Sequence, residues 1–328
     1  MPKSTYYDKL KFNRKKLFEN IEKNLRLLKK QKITLLDLKI INASIEEMQK
    51  TAQVFAPYHH VRKVTVFGSA RTHPKEAIYR QAKLFAKEIE KKGYMVMTGA
   101  GPGIMQAAHE GAGAMKSIGL NIKLPFEQLA NPVIQGDAKL VNYKYFFNRK
   151  LTMIKESDAL VLFPGGFGTQ DEMFETLTLL QTGKTAPTPV VCIEKKGGRY
   201  WQEWKKFNLT LLYQCGLVSK EDLNWIYFTN DIDQAVNHVC RFYKNFHSIR
   251  YHKNFLLVRV WRIPPNNELQ KLSLQFKEMI PSGSISIAKL ELPYDPDISD
   301  LKLHTLSLQF NQKSFGVMRK LIDRLNDF

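Results

Sequence analysis

Residues 164–172, PGGFGTQDE, combine three glycines with Asp171 and Glu172 directly after the apolar run ALVLF. Glycine allows a ligand to approach the backbone closely, and the unpaired N–H groups that open a following helix bind anions such as phosphate. A carboxylate beside such a turn can accept a proton or stabilise a positive charge. The stretch therefore favours a site where an anionic ligand meets a reactive carboxylate.

The same acids have a purely structural interpretation. Thr169 and Glu172 have the spacing of a capping box, with Thr169 as the N-cap and Glu172 at the third helical position. Acids in a first helical turn are also favoured by the helix dipole. The sequence alone leaves both interpretations open, and the neighbouring glycines favour the functional one.

Two further turns rich in small residues follow predicted strands, at residues 67–71 (FGSAR) and 98–105 (TGAGPGIM). In a parallel sheet, ligands bind outside the carboxyl ends of the strands, so these turns and residues 164–169 are expected to meet. GAGPGIM lacks the last glycine of G-x-G-x-x-G, and none of the turns ends in G-K-[ST]. A dinucleotide oxidoreductase and a P-loop ATPase are therefore disfavoured.

Residues 146–153, FFNRKLTM, place Arg149 and Lys150 at the start of a predicted helix. Cations are not stabilised by the dipole at a helix N-terminus, so their presence there indicates a negative ligand nearby. Pairing of the arginine with a surface acid is the structural alternative.

The elements that must position these residues are short apolar runs that alternate with amphipathic stretches from Val64 to about residue 245. Strands buried on both faces and separated by helices predict an α/β fold, a Rossmann-like doubly wound parallel sheet. Helices are predicted over residues 8–55. After residue 250 the order β-α-β-β-α predicts a small α+β module. The predicted division is a basic helical extension (1–60), a nucleotide-binding catalytic domain (61–249) and the module (250–328).

The net charge of +19 is concentrated near the start, because residues 1–63 hold 15 Lys and Arg against 6 Asp and Glu. Attraction to nucleic acid or another polyanion is one explanation, and a solvated helix face in a basic protein is the favoured one. Three cysteines without a CxxC pair, and the absence of HExxH, predict no metal site. No apolar stretch approaches the roughly 20 residues that span a bilayer. A cytoplasmic protein without membrane contact is expected.

Together these motifs resemble the LOG (lonely guy) family, nucleoside 5′-monophosphate phosphoribohydrolases long labelled lysine decarboxylase-like. The family pattern PGGxGTxxE is met in full by residues 164–172, and R-K-x-x-M is met by residues 149–153. The family turn GGGxxGxM resembles residues 99–105, with Ala100 at a glycine position and a shorter spacing. LNIKLPFEQ is similar to the longer bacterial branch. The resemblance covers about residues 60–245.

The resemblance implies hydrolysis of the N-glycosidic bond of AMP or a cytokinin riboside monophosphate, giving free base and ribose 5-phosphate. It implies Glu172 as the residue that stabilises an oxocarbenium-like state and activates water, and Arg149 as the second catalytic residue. It also implies a homodimer and no cofactor, because no lysine has a recognisable Schiff-base setting for a decarboxylase. The implied substrate-binding residues are Gly68, Ser69, Gly99, Gly101, Gly103, Met105, Glu127, Lys150, Gly165, Gly166, Gly168 and Thr169.

Two non-enzymatic alternatives remain from the sequence. A nucleotide sensor would use the C-terminal module as its output. A single-strand nucleic-acid-binding protein would use the net charge of +19 and would not need Glu172. Nucleic acid is the less favoured partner, and a nucleoside monophosphate the favoured one.

Overall fold

The computed structural model of the chain describes residues 14–124, 129–288 and 301–328. Its main feature is a seven-stranded sheet with the strand order β4-β3-β2-β1-β5-β6-β7, in which every pairing is parallel. This confirms the predicted Rossmann-like α/β class. The strands are β1 Lys63–Phe67, β2 Met95–Thr98, β3 Ser117–Ile122, β4 Leu140–Tyr143, β5 Ala159–Leu162, β6 Val190–Ile193 and β7 Ile226–Thr229.

Helices cover both faces of this sheet, and alternate strand residues belong to two separate cores. Val64 and Val66 of β1 pack in one core, and Phe67 of the same strand packs in the other. This alternation follows from the two-residue period of a strand. The α-helices that precede the second sheet in the described chain are α1 Arg14–Lys30, α2 Leu35–Phe55, α3 Ala77–Lys91, α4 Ile104–Ala112, α5 Phe146–Lys155, α6 Phe167–Gln181, α7 Tyr200–Asn208 and α8 Ile232–Phe242.

Helix α2 of the predicted N-terminal extension packs directly on β4 and α5. The hydroxyl of Thr51 lies 2.6 Å from that of Tyr143. The buried carboxylate of Glu47 accepts hydrogen bonds from the backbone N–H of Lys144 at 2.6 Å and from the side-chain amide of Asn148 at 2.7 Å. Because both donors belong to the segment that opens α5, α2 helps to hold the helix that carries Arg149.

The C-terminal region forms a second sheet, antiparallel, with the strand order β10-β11-β9-β8. The predicted order β-α-β-β-α is wrong at its start, because the polar, half-buried segment FHSIRYH is an additional strand. The predicted strand SISIAKLEL is described only as far as residue 288. The elements are β8 Phe246–His252, β9 Phe255–Val260, α9 Asn266–Gln275, β10 Ser286–Ile287, β11 His304–Gln309 and α10 Phe315–Leu325.

This second sheet does not stand apart from the first. Helix α10 packs against α6 and against the 3₁₀ turn Glu221–Trp225. The side-chain amide of Asn224 donates to the carbonyl of Gly316 at 3.1 Å. The predicted boundary at residue 250 falls inside β8, and the three-part division of the chain stays a prediction. Among the helices that the structure describes, none is long and apolar enough to cross a membrane.

Candidate active site

A cavity of about 770 Å³ opens at the carboxyl ends of the central strands, where the three predicted turns meet. The carboxyl ends of parallel strands lie at one edge of the sheet, so turns far apart in sequence share this space. Eleven of the predicted site residues line it, namely Gly68, Ser69, Gly99, Gly101, Met105, Arg149, Gly165, Gly166, Gly168, Thr169 and Glu172.

Gly103 is not among the residues that line the cavity, and it supports the wall instead. Its φ is +67°, and a Cβ at this position would lie 2.3 Å from the carbonyl oxygen of Ser69. The next residue, Ile104, donates its backbone N–H to the same oxygen at 3.0 Å. Gly103 therefore allows the second turn to pack directly on the first.

Lys150 also lies behind the cavity wall, within a cluster of acids. Its Nζ is 2.5 Å from a carboxylate oxygen of Glu175, 2.9 Å from Asp171 and 4.0 Å from Glu172. Burial lowers the pKa of Lys150, but the hydrogen bonds to Glu175 and Asp171 outweigh it, so the pKa is raised overall. The ammonium of Lys150 therefore approaches the carboxylate of Glu172 from within the protein and not from the cavity. Glu127 lies outside the described residues.

Helix α6 begins at Phe167 with Gly166 as its N-cap, and no side chain caps it. The alternative interpretation as a capping box is therefore wrong, because Thr169 is already the third helical residue and Glu172 lies beyond the first turn. A Cβ on Gly165 would lie 2.1 Å from the Thr169 hydroxyl, which shows how closely the turn folds back on the helix. The first N–H groups of a helix have no partner within it, so they are available to an anion.

Glu172 is 3% exposed, and its Oε2 has no hydrogen-bond partner among the described residues. Burial raises the pKa of Glu172 to about 7, helped by the neighbouring carboxylates of Glu175 and Asp171 and opposed by Lys150 and Arg149. A carboxyl group that titrates near neutral pH can both release and accept a proton under physiological conditions.

Arg149 is the cationic counterpart of this acid. Its Nε is buried and has no partner among the described residues, and its guanidinium lies 5.0 Å from the centre of the Phe146 ring. Burial lowers the pKa of Arg149, while the charges of Glu172 and Asp171 oppose this effect. Incompletely paired charges with perturbed pKa values in one cavity are typical of a functional site.

The turn after β2 contains a non-glycine residue in the left-handed region, Ala100, with a φ of +62°. Its N–H is bound by the Thr98 hydroxyl at 2.9 Å. Asn131 holds the turn from the other side, because its side-chain amide donates to the carbonyls of Ala100 at 3.0 Å and Gly101 at 3.1 Å. These bonds stabilise the strained conformation at the position where the family pattern has glycine.

Sequence reasoning missed part of the cavity. The end of β3 and the residues just after it contribute Asn121, Ile122 and Leu124, and the first residue of α6 contributes Phe167, which is 96% exposed. These three residues lie toward the carboxyl end of the predicted strand IGLNIKLP, and that position is the signal that could have identified them. The remaining lining residues are Phe67, Ala70, Arg71, Met153 and Gln170.

No group of three or more His, Cys, Asp or Glu within residues 14–124, 129–288 and 301–328 is arranged to hold a metal ion. The groups that line the cavity include backbone N–H groups, the guanidinium groups of Arg71 and Arg149, and the carboxylate of Glu172. Sheet and cavity together define a Rossmann-like α/β protein with a candidate ligand site at its strand ends.

Residues 103–239 match the family model described as "Possible lysine decarboxylase". The chain is 30% identical over 146 residues to the probable cytokinin riboside 5′-monophosphate phosphoribohydrolase LOGL2 of Oryza sativa subsp. japonica, covering 42% of this chain and 58% of the relative. It is also 30% identical over 129 residues to the cytokinin riboside 5′-monophosphate phosphoribohydrolase LOG of the same organism, covering 37% of this chain and 51% of the relative. The family model and these relatives support a relationship between this chain and the LOG family.

The chain thus spans only between half and three fifths of the length of these two curated relatives. Among solved structures, the chain is similar to the molybdenum cofactor carrier protein of Chlamydomonas reinhardtii, with 21% identity and a TM-score of 0.37. That match covers 55% of this chain and 97% of the other.

Proposed function

We propose that the protein hydrolyses the N-glycosidic bond of nucleoside 5′-monophosphates and releases the free base and ribose 5-phosphate. The observation that carries this proposal is the presence of Glu172 and Arg149 in one cavity walled by three glycine-containing turns. The curated relatives support it, because they are named as phosphoribohydrolases of a nucleoside monophosphate.

The phosphate is expected at the N-terminus of α6, where Gly166 and Gly168 leave open space on the side where a Cβ would lie. Backbone N–H groups and the positive end of the helix dipole favour a dianion there. A cavity of about 770 Å³ lies within the range of roughly 300–1,000 Å³ typical of small-molecule sites, so a whole nucleotide fits.

Cleavage of the bond between C1′ and the base passes through a state with positive charge on the sugar ring, as in glycoside hydrolysis. Ionised Glu172 stabilises this charge and accepts a proton from the water that attacks C1′. The electrons of the broken bond leave with the base, which takes up a proton from solvent water. Its pKa of about 7 keeps a substantial ionised fraction at neutral pH while leaving it basic enough to take that proton. Arg149 offers a buried, unpaired N–H to the substrate and restrains Glu172 electrostatically.

The base is expected against apolar residues that line the cavity, which include Met105, Ile122, Leu124 and Met153. Adenine is a suitable occupant, and so is an adenine with an apolar N6 substituent of the cytokinin type. We therefore propose AMP or a cytokinin riboside monophosphate as the substrate.

A lysine decarboxylase function is not supported by the site. A Schiff-base lysine needs a neutral amine, and the acids around Lys150 raise its pKa instead. No lysine occurs among the described residues that line the cavity.

We also propose that the protein is a homodimer. Helix α5 exposes Phe146, Phe147 and Leu151 to between 50% and 53%, next to Arg149. Apolar side chains that share one exposed surface are typical of an interface. Sedimentation equilibrium of the intact protein tests this proposal, and a monomer at micromolar concentration would contradict it.

The activity is tested by incubating the intact protein with a panel of nucleoside monophosphates and quantifying free base by chromatography. Glu172→Gln should abolish most release, while the matched control Glu175→Gln, one turn further along α6, should retain it. Nucleotide binding without any base release would instead support a sensor, and salt-sensitive binding of single strands alone would support a nucleic-acid protein.

A further inference from the structure

A chain of side-chain hydrogen bonds connects α7 to the glycine turn before α6. The hydroxyl of Tyr200 donates to the carbonyl oxygen of Gly165 at 2.5 Å. The same hydroxyl accepts a hydrogen bond from the side-chain amide of Gln170 at 2.5 Å. The indole N–H of Trp204 donates to the amide oxygen of Gln170 at 2.7 Å. Tyr200 therefore has both its donor and its acceptor function satisfied at the turn.

Tyr200 is itself held in place by the strand before it. A carboxylate oxygen of Glu194 accepts the backbone N–H of Tyr200 at 2.9 Å. The indole of the buried Trp201 donates to the carbonyl of Ile193, at the end of β6, at 3.0 Å. The first turn of α7 is thus fixed to the sheet, and the tyrosine hydroxyl is presented to Gly165 from a rigid base.

The carbonyl that Tyr200 binds belongs to the peptide group that joins Gly165 to Gly166. In a planar trans peptide, the C=O and the following N–H point to opposite sides. Tyr200 lines a separate groove of about 500 Å³, and Gly165 forms a wall shared by this groove and the cavity. Holding the carbonyl on the groove side therefore places the N–H of Gly166 on the cavity side.

Such a restraint is needed because two consecutive glycines have no side chains to limit rotation of the peptide plane between them. A Cβ on Gly166 would meet no heavy atom within 4 Å, so packing at this residue does not restrain the plane either. If the plane turned over, a carbonyl oxygen would face the bound anion in place of an N–H donor.

We propose that Tyr200 is a positioning residue that fixes the Gly165–Gly166 peptide, so that the Gly166 N–H binds the phosphate of a phosphate monoester. This inference rests on the proposed function for the identity of the ligand. The tyrosine itself touches neither the sugar nor the reacting bond. Its loss should therefore weaken phosphate binding and leave the chemical step intact.

The test measures binding and turnover separately on the intact protein and on Tyr200→Phe. Calorimetric titration with ribose 5-phosphate should give a Kd raised roughly ten-fold in the variant, because about one hydrogen bond to a charged group is lost. The KM for AMP should rise by a similar factor, with kcat changed less than about three-fold. Tyr213→Phe, a change at a partly exposed tyrosine outside the cavity, is the matched control and should alter neither value.

A folded Tyr200→Phe protein with unchanged affinity for ribose 5-phosphate would overturn the positioning role, whatever the enzyme then does with AMP. A wild-type protein that binds ribose 5-phosphate but releases no base would refute the proposed function alone. If Tyr200→Phe fails to fold, the variant Trp204→Phe provides the test of the positioning role instead. It retains an aromatic ring, removes the bond to Gln170 and should weaken ribose 5-phosphate binding about two- to five-fold. Unchanged affinity in that variant counts against the proposal.

Discussion

The buried carboxyl of Glu172 should make the stability of the protein fall as the pH rises. Its pKa is about 7 in the folded protein, against an ordinary value of 4.5. Between these two values the folded protein holds a proton that the unfolded chain has released. The stabilisation is therefore fully present below pH 4.5 and is lost as the pH rises through 7. Because each pH unit is worth about 1.4 kcal/mol, the loss across this window is roughly 3 kcal/mol.

The perturbation that isolates this effect is Glu172→Gln, which keeps the shape of the side chain and cannot titrate. Urea denaturation of wild type and variant would be measured from pH 4.5 to 8.5. The difference between their unfolding free energies cancels the other titrating groups. We expect this difference to change by roughly 3 kcal/mol in favour of the variant on going from the acidic to the alkaline end. Glu175→Gln, the control, should retain most of the decline seen in the wild type, reduced only by the lesser part that Glu175 contributes to the raised pKa of Glu172.

Parallel curves for wild type and Glu172→Gln would refute this reasoning, because Glu172 would then titrate alike in the folded and unfolded states. The same ionisation should be visible in catalysis. If the ionised form is required, kcat/KM for AMP rises with pH along a limb near 7, and Glu172→Gln loses on the order of 10²–10⁴ in kcat. An acidic limb near pH 4.5 would show that burial does not control the reactive group.

Three further changes follow from the same geometry. Arg149→Ala should weaken AMP binding and reduce base release by about 10², since it removes the only arginine among the described residues that both lines the cavity and has a buried, unpaired Nε. Titration calorimetry and turnover measure both effects. Lys150→Ala should move the acidic limb of kcat/KM to higher pH, because Lys150 lowers the pKa of Glu172; a limb that stays in place would contradict this. Gly103→Ala should cost about 2 kcal/mol or more of unfolding free energy in urea, because its φ is +67° and the new Cβ would meet the Ser69 carbonyl at 2.3 Å. An unchanged midpoint would show that the turn relaxes freely.

The sequence by itself determined the sheet and the location of the cavity. Short apolar runs separated by amphipathic helices have few ways to bury both faces, and a doubly wound parallel sheet is the simplest. Since parallel strands end at one edge, the turns containing Gly68, Gly101 and Gly165 had to meet there. Local residue types were sufficient to predict the sheet and the position of the cavity, because apolar runs and glycine turns are visible in short stretches of sequence.

Other properties of the site depended on contacts that no local pattern contains. Thr169 has the spacing of an N-cap, yet α6 begins at Phe167. Lys150 has the position of a ligand contact, yet it is paired with Asp171 and Glu175 from a different helix. The hydrogen bond from Tyr200 to the Gly165 carbonyl comes from helix α7, which was not predicted from the sequence.

The protonation of Glu172 shows most clearly what tertiary structure alone decides. Its ordinary pKa is a property of the side chain, but its pKa of about 7 results from burial, which raises it, against the charges of Lys150 and Arg149 on α5, which lower it. Desolvation depends on everything that packs around a group, and Coulomb energy depends on distances in space. Neither is encoded by the spacing of residues along the chain, so the sequence identified the acid and the fold set its chemistry.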